Sequence, residues 1–384
     1  MTPPATLSTH ITPDMRVPLI DPAAQHAPLQ DAFRAAFERV LHSGSFILGQ
    51  EVADFEQALA KSIGVKHAIG VASGTDALTL ALLAHDIGPG DEVITTPFTW
   101  FSSASCIARL GATPVFIDIH PRTFNLDYRH LAGVINERTK AILPVHLFGL
   151  PANMPELMRV ADQHGLPVIE DCAQAIGASV NGQRVGSIGA AGCFSFYPTK
   201  NLSGFGDGGA VTTNDDALAD TIRSLRNHGT RDGSTFHKLG GNFRMDALYA
   251  ALLNIKLPHL QSYNAARKQH AERYHRLLED TPVITPFEAP ERDHTFHQYT
   301  LRIRANMRDP LAEHLAAAGI ASKIYYPKPM HLQPCFEHLG YTEGRFPEAE
   351  HAAQEVLSIP VFPEMTKDQQ DLVVRAIRAV FEGD

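Results

Sequence analysis

The stretch Ala68-Ile69-Gly70-Val71-Ala72-Ser73-Gly74-Thr75-Asp76-Ala77 decides the fold class. Ala68 to Ala72 is a short β-prone run, and Thr75 to Ala84 has the character of a buried helix. Working outward, the same alternation returns. Glu92–Thr96, Pro114–Asp118, Ala141–Val145 and Leu166–Asp171 are expected as strands, with helices at Phe101–Leu110 and Met154–Gln163. Alternating β and α segments from about Val17 to His228 predict a mainly parallel sheet covered by helices on both faces. The near-continuous apolar strands agree, because such strands are buried on both sides. The pattern changes after Leu257. A polar helix at Leu260–Leu278, an alternating strand at Gln298–Ile303 and helices at Pro310–Ala318 and Lys367–Phe381 predict a smaller α+β unit. The expected organisation is an N-terminal arm at 1–16, a large domain at 17–257 and a small domain at 258–384.

Composition bounds the function. The chain of 384 residues is 44% apolar and 20% charged, with a formal charge of −9. That balance argues against a sequence-independent nucleic-acid binder. No twenty-residue apolar run is present, and Met1–Arg16 lacks a basic-then-apolar signal pattern, so a cytoplasmic protein with no membrane partner is expected. Cys106, Cys172, Cys193 and Cys335 are scattered, which fits buried thiols in a reduced compartment. His294 and His297 lie three apart, but no HExxH or Cys/His cluster accompanies them, and no metal is expected.

Three places carry chemistry. Cys193-Phe194-Ser195-Phe196-Tyr197-Pro198-Thr199-Lys200 delivers a lysine to the edge of the glycine-rich Asn201–Gly209 loop, and Leu166–Asp171 is a strand ending in carboxylates. A lysine amine forms a Schiff base with an aldehyde, and a buried carboxylate holds a pyridine nitrogen protonated; together they are a protein's share of pyridoxal phosphate chemistry. Ser73-Gly74-Thr75 lies where a strand gives way to a helix, so free N–H groups and the helix dipole suit a phosphate, although a simple N-cap explains the same residues. Trp100, the single tryptophan, follows a strand where a flat ring could stack on another. Gly204, Gly206 and Gly209 spell GxGxxG. A strand-like Ala210–Thr213 follows them instead of a helix, which excludes the dinucleotide fingerprint, and the glycines are expected to turn a loop beneath a bulky ligand.

Ordered motifs run the length of the chain: Ser-Gly-Thr-Asp-Ala at 73–77, Pro-Phe-Thr-Trp at 97–100, Val145–Gly149, Ile169–Ala175, Phe194-Ser195-Phe196 with Lys200, Gly241–Met245, Tyr326–His331 and Leu357–Pro360. In these the chain resembles the pyridoxal-phosphate-dependent sugar aminotransferases of the DegT/DnrJ/EryC1/StrS family. The resemblance, over roughly 17–380, implies an α/β fold of the aspartate-aminotransferase type (fold type I) and a homodimer with two active sites at its interface. It implies Lys200 as the Schiff-base lysine, Asp171 as partner of the pyridine nitrogen, Trp100 as the stacking ring and Gln174 as the amide beside the ring hydroxyl. Gly74, Thr75 and Ser195 correspond to phosphate ligands, and Asn242 to an asparagine reaching the neighbouring subunit's phosphate. Arg244, Tyr326, Lys328 and His331 correspond to substrate contacts.

By the same resemblance the amino donor is L-glutamate, returning 2-oxoglutarate, and the acceptor is a nucleotide-linked keto sugar. Asp207 stands where members acting at C-4 more often have glutamate, so the expected product carries its amine at C-3. UDP-linked 3-oxo-N-acetylglucosamine, used for diamino sugars of lipid A or O-antigen, is the favoured acceptor, with a dTDP-linked 3-oxo-6-deoxyhexose next and C-4 amination a third reading. From other classes, a non-catalytic cofactor-binding regulator and a dehydratase with histidine in place of the lysine are both opposed by Lys200.

Overall fold

The computed structural model describes residues 16–382. The expected arm lies outside the described residues except for Arg16. Helices α1 (Pro22–His26), α2 (Gln30–Ser43) and α3 (Gln50–Ile63) precede the first strand. Strands β1 (His67–Val71), β2 (Glu92–Thr95), β3 (Thr113–Phe116), β4 (Thr139–Ile142) and β5 (Ile169–Asp171) then alternate with α4 (Gly74–Ala84), α5 (Ser102–Arg109) and α6 (Met154–His164). A small hairpin, β6 (Ser179–Val180) and β7 (Gln183–Arg184), leads to β8 (Ala191–Ser195) and β9 (Gly209–Thr213).

Hydrogen bonding orders one group of strands β1-β9-β8-β5 and another β3-β2-β4. Parallel bridges from Ile142 to Val168 and from Val145 to Asp171 join them into one sheet ordered 1-9-8-5-4-2-3. Only β9 runs against the rest, because it returns directly from β8 and pairs antiparallel with both neighbours. The mixed α/β class and the mainly parallel sheet are as expected. Helix α4 is apolar on nearly every side and packs against β8, β9, α5 and α7 (Asp216–Arg226). Its Ala77, Leu78, Leu80, Ala81 and Leu82 are buried, which pins the helix start to the sheet edge.

After α8 (Ala247–Lys256) and the long α9 (Leu260–Leu278), β10 (Arg292–Asp293) joins the hairpin, and a two-stranded sheet forms from β11 (Tyr299–Arg302) and β12 (Val356–Ile359). With α10 (Ala305–Ala317), α11 (Pro347–Glu355) and α12 (Lys367–Phe381) this region builds a second core around Tyr274, Tyr299, Leu311, Leu315 and Ile377. Val17 belongs to that second core, whereas Tyr326, Phe336 and Phe346 pack into the first. We propose two bodies divided near residue 257, each keeping one segment from the other's part of the chain. Helix α10 starts five residues before Pro310, which sits inside it, so the expected start at the proline is corrected. Among the described residues no helix is long and apolar enough to cross a membrane.

Candidate active site

Several motif-bearing segments meet near the carboxyl ends of the parallel strands: Gly74 with Ser195, Gln174 with Tyr326 and Pro97 with Met330. At the end of β1, Ser73 caps α4 by accepting from the Asp76 N–H at 3.1 Å. Gly74 opens the helix against Ser195 at the end of β8, and a methyl group on Gly74 would lie 2.6 Å from the Ser195 Cβ. Only glycine allows that approach. Thr75 Oγ1 shares a 2.8 Å hydrogen bond with Ser102 Oγ. The resemblance grouped Gly74, Thr75 and Ser195, and the fold sets Ser195 against the start of α4, where free N–H groups of a helix N-terminus suit a phosphate.

Glu170 and Asp171 end β5 on opposite faces of the sheet. Glu170 is fully buried and satisfied: it accepts from the N–H groups of Gly186, Ile188 and Gly189 at 2.8–2.9 Å, and His146 Nε2 lies 3.0 Å away. Asp171 is held by α5 and by its own turn. Ser103 Oγ donates to its Oδ2 at 2.8 Å and the Ala173 N–H to its Oδ1 at 3.1 Å, which leaves each oxygen a lone pair. Burial pushes the Asp171 carboxyl above its ordinary pKa, against the pull of those two donors and of Lys200. Among the described residues no cation hydrogen-bonds this carboxylate, and a protonated ring nitrogen would supply one.

Lys200 follows β8 in a turn closed by its own N–H to the Tyr197 carbonyl at 2.8 Å. Burial lowers its ammonium pKa to about 8, partly opposed by the Asp171 charge. Among the described residues nothing accepts a hydrogen bond from its Nζ. A poorly solvated, unpaired amine of lowered pKa is a nucleophile and a proton carrier near neutral pH.

Gln174 is oriented by its neighbours: Oε1 accepts from the Phe148 N–H at 2.6 Å and Nε2 donates to the Tyr326 hydroxyl at 2.9 Å. The second amide hydrogen has no acceptor among the described residues. The Trp100 ring, 45% exposed, lies 6.1 Å from the Tyr326 ring and tilted to it. Arg244 donates from Nη1 to Asn227 Oδ1 at 3.0 Å, while its buried Nε has no partner among the described residues. Asn242 and Lys328 are exposed. His331 departs from expectation. Its ring is buried, it meets Glu350 at 3.0 Å through Nε2, and it lies edge-on to Phe346. Burial lowers its pKa, so it is not the cation that the sequence suggested.

The glycine loop also differs from expectation. A methyl group on Gly204 or Gly208 would lie 2.5 or 2.2 Å from the Tyr249 ring, so these glycines make room for that ring and not for a ligand. The Tyr249 hydroxyl then bonds the Phe196 carbonyl at 2.5 Å and the Gly206 carbonyl at 3.1 Å. Sequence reasoning missed Tyr249, Ser103 and the buried Lys256; an apolar helix containing one tyrosine opposite a glycine-rich loop was the available signal.

His146, Glu170 and Cys172 are close enough to suggest a metal site. The backbone N–H of Ala152 donates to His146 Nδ1 at 3.0 Å, so Nε2 carries the hydrogen facing Glu170, and no imidazole lone pair is left for an ion. Burial also pushes the Cys172 thiol well up. His294 and His297 do not act as a pair, since His294 stacks on Phe296 at 3.9 Å and His297 Nδ1 meets Asn201. Three cysteines are buried, but Cys335 is exposed.

The profile of the DegT/DnrJ/EryC1/StrS aminotransferase family matches residues 28–378. The chain is 49% identical over 366 residues to the "pleiotropic regulatory protein" of Geobacillus stearothermophilus, covering 94% of this chain and 98% of the other. It is 46% identical over 375 residues to UDP-N-acetyl-3-dehydro-α-D-glucosamine 3-aminotransferase of Acidithiobacillus ferrooxidans, covering 97% and 100%. To dTDP-3-amino-3,4,6-trideoxy-α-D-glucose transaminase of Streptomyces venezuelae it is 43% identical over 364 residues, covering 94% and 96%. Among solved structures, S. venezuelae DesV in complex with a ketimine intermediate superposes with a TM-score of 0.92 at 43% identity, covering 95% and 98%. Bacillus subtilis NtdA with bound cofactor PMP superposes with a TM-score of 0.90 at 28% identity, covering 98% and 87%.

Proposed function

The chain belongs to the DegT/DnrJ/EryC1/StrS aminotransferase family, and on that premise we propose that it transfers an amino group from L-glutamate to the C-3 carbonyl of a nucleotide-linked 3-oxo sugar. It is a pyridoxal-phosphate-dependent sugar aminotransferase of fold type I. The favoured acceptor is of the UDP-3-oxo-N-acetylglucosamine type. The observation that carries the mechanism is the pairing of β5 with β8, which brings the buried Asp171 beside the strand that leads to Lys200, whose amine has no hydrogen-bond acceptor among the described residues.

When bound, the cofactor supplies an electron-withdrawing ring and a carbonyl carbon that carries the amino group between donor and acceptor. Lys200 anchors that carbonyl carbon through Nζ and, once free, moves the proton from the donor's Cα. Its lowered pKa suits both tasks near neutral pH. Asp171 holds a proton at the ring nitrogen, with Ser103 and the Ala173 N–H fixing the carboxylate plane. An opposite charge in contact shifts such a pKa by about 1–3 units. Gly74, Thr75 and Ser195 would hold the phosphate, Gln174 would offer an amide hydrogen to the ring hydroxyl, and Trp100 would cover a ring face. Arg244, whose buried Nε has no partner among the described residues, Tyr326 and Lys328 are the proposed acceptor contacts.

Two chains are proposed to share the sites. Asn242 is exposed, and so are Trp100, Tyr197 and Phe205, which a second copy would cover. Mixing Lys200→Ala and Asn242→Ala chains tests this: a heterodimer then holds one intact site and regains turnover, and no recovery places Asn242 elsewhere.

Amination at C-3 of a UDP sugar is supported by the Acidithiobacillus relative, and the S. venezuelae relative supports a dTDP acceptor. The deciding experiment runs the reaction backwards, with 2-oxoglutarate and UDP-2-acetamido-3-amino, dTDP-3-amino and 4-amino sugars. Loss of amine from the UDP 3-amino sugar supports the favoured reading, and loss only from 4-amino isomers overturns it. The Geobacillus relative's name favours a second reading, a regulator. A visible spectrum that does not change when glutamate is added would support that reading, because a regulator needs no amino transfer.

A further inference from the structure

Asn201, the residue after Lys200, is buried and uses its side-chain amide in three directions. Nδ2 donates to Asn264 Oδ1 at 2.8 Å and to the Thr295 carbonyl at 3.1 Å, while Oδ1 lies 3.1 Å from His297 Nδ1. The hydrogens in this chain are fixed from its ends. The Thr295 carbonyl can only accept, so the amide nitrogen of Asn201 must face it. Asn264 spends its own Nδ2 on the Ile176 carbonyl at 2.9 Å, which leaves its oxygen for Asn201. Asn201 Oδ1 therefore meets His297, and His297 Nδ1 must carry the hydrogen.

His297 is itself buried, and burial together with the charges of Lys200 and Arg267 drives its pKa well below the ordinary value. No acidic group is among the charges acting on it. The ring is thus a neutral Nδ1–H imidazole, anchored on the segment that leads into β11.

We propose that Asn201 and His297 are a positioning pair for Lys200: the neutral imidazole locks the Asn201 amide, and so the backbone from which the lysine reaches, without setting a second positive charge beside the amine. The inference rests on the assignment of Lys200 above. A lysine that must reach both an anchoring atom and a donor's Cα proton tolerates little drift, since a misplacement of about 1 Å costs on the order of 10²-fold in rate.

The test uses the holoenzyme and three variants. His297→Phe keeps a ring but removes the donor, His297→Asn returns an N–H near the position of Nδ1, and Asn201→Asp sets an oxygen against Asn264 Oδ1 and the Thr295 carbonyl. The readouts are kcat, KM for glutamate, the midpoint of the pH titration of the resting enzyme's visible absorbance, and Tm. His297→Phe should lower kcat by about 10- to 10²-fold, with KM little changed, and should move the absorbance midpoint. Asn201→Asp should act in the same direction, and His297→Asn should recover most of both losses. A lower Tm with unchanged kcat and midpoint would reduce the pair to packing and overturn the proposal. So would a His297→Asn variant as poor as His297→Phe, which would give the role to the ring or to Nε2. Lys200→Ala, run in parallel, separates the two failures. If it still turns over, the functional reading fails; if it is dead while His297→Phe behaves as wild type, only the positioning pair fails.

Discussion

Lys200 and Lys256 both serve the loop from 200 to 208, and burial lowers the pKa of each to about 8. Their surroundings differ. Lys256 is completely buried and donates to Ser203 Oγ at 3.0 Å and to His26 Nε2 at 3.1 Å, with Glu364 close enough to favour its charge. Burial takes the His26 pKa down to about 4, so its ring is a neutral acceptor. The Lys200 Nζ has no hydrogen-bond partner among the described residues, and Asp171 supports its charge. A lowered pKa alone therefore does not mark a catalytic lysine. The amine that the fold leaves uncommitted is the one available for chemistry.

The largest effect should separate these two lysines. Lys200→Ala is expected to abolish turnover and the visible absorbance of the anchored cofactor while the chain stays folded. Lys256→Met should keep that absorbance and measurable turnover. Its cost falls on the loop, where Ser203 and His26 lose a charged donor, with each such hydrogen bond contributing about 1.5–3 kcal/mol before the gain from removing a buried charge. The comparison breaks if absorbance and turnover vanish equally in both variants.

A smaller contrast concerns the neighbouring carboxylates. Asp171→Asn should retain the cofactor and lose about 10²-fold in turnover, within the range expected when an opposite charge no longer holds the ring nitrogen protonated. Glu170→Gln should leave the chemistry largely intact in the folded fraction. It sets an amide against inward-pointing N–H groups, at about 3 kcal/mol of stability. Steady-state rates compared with denaturant midpoints assign the two roles. A large rate loss in Glu170→Gln at unchanged stability would merge them.

The sequence made the sheet legible because β1, β2 and β3 are apolar runs bounded by Gly, Pro or Ser, and α4 begins at a recognisable cap. It also drew attention to Lys200 and to the carboxylate pair Glu170 and Asp171, since each ends a β-prone run, and the family resemblance chose Asp171. The residues alone could not separate the two, because alternation along β5 sends them to opposite faces and either face could have held the ligand. The glycine loop was misread for a related reason: glycines report that something bulky approaches, not that it is Tyr249. His331 and Lys256 were out of reach, since the character of each depends on partners from distant segments, Glu350 for one and His26 and Ser203 for the other. Pro310 misled because the proline rule for helix starts was overridden by packing of Leu311 and Leu315 into the second core.

The smallest expected effect is a slope, and it returns to the two lysines. In the folded, cofactor-free protein each releases its proton near pH 8, whereas the unfolded chain holds it to the ordinary value of 10.5. Between those values unfolding takes up protons, which becomes harder as pH rises, so stability should increase from pH 8 towards 10.5 and the burial cost should be fully present below 8. Each lysine adds at most about 1.4 kcal/mol per pH unit to that rise. Lys200→Met and Lys256→Met should each remove one such increment, seen as a shallower rise of ΔG with pH than in wild type. Taking the difference from wild type cancels the tyrosines and surface lysines that titrate in the same window. The two variants should lose similar slopes although only one loses turnover. If only Lys200→Met flattens the curve, the Ser203, His26 and Glu364 contacts offset the burial of Lys256, and the two amines differ in thermodynamics as well as in chemistry.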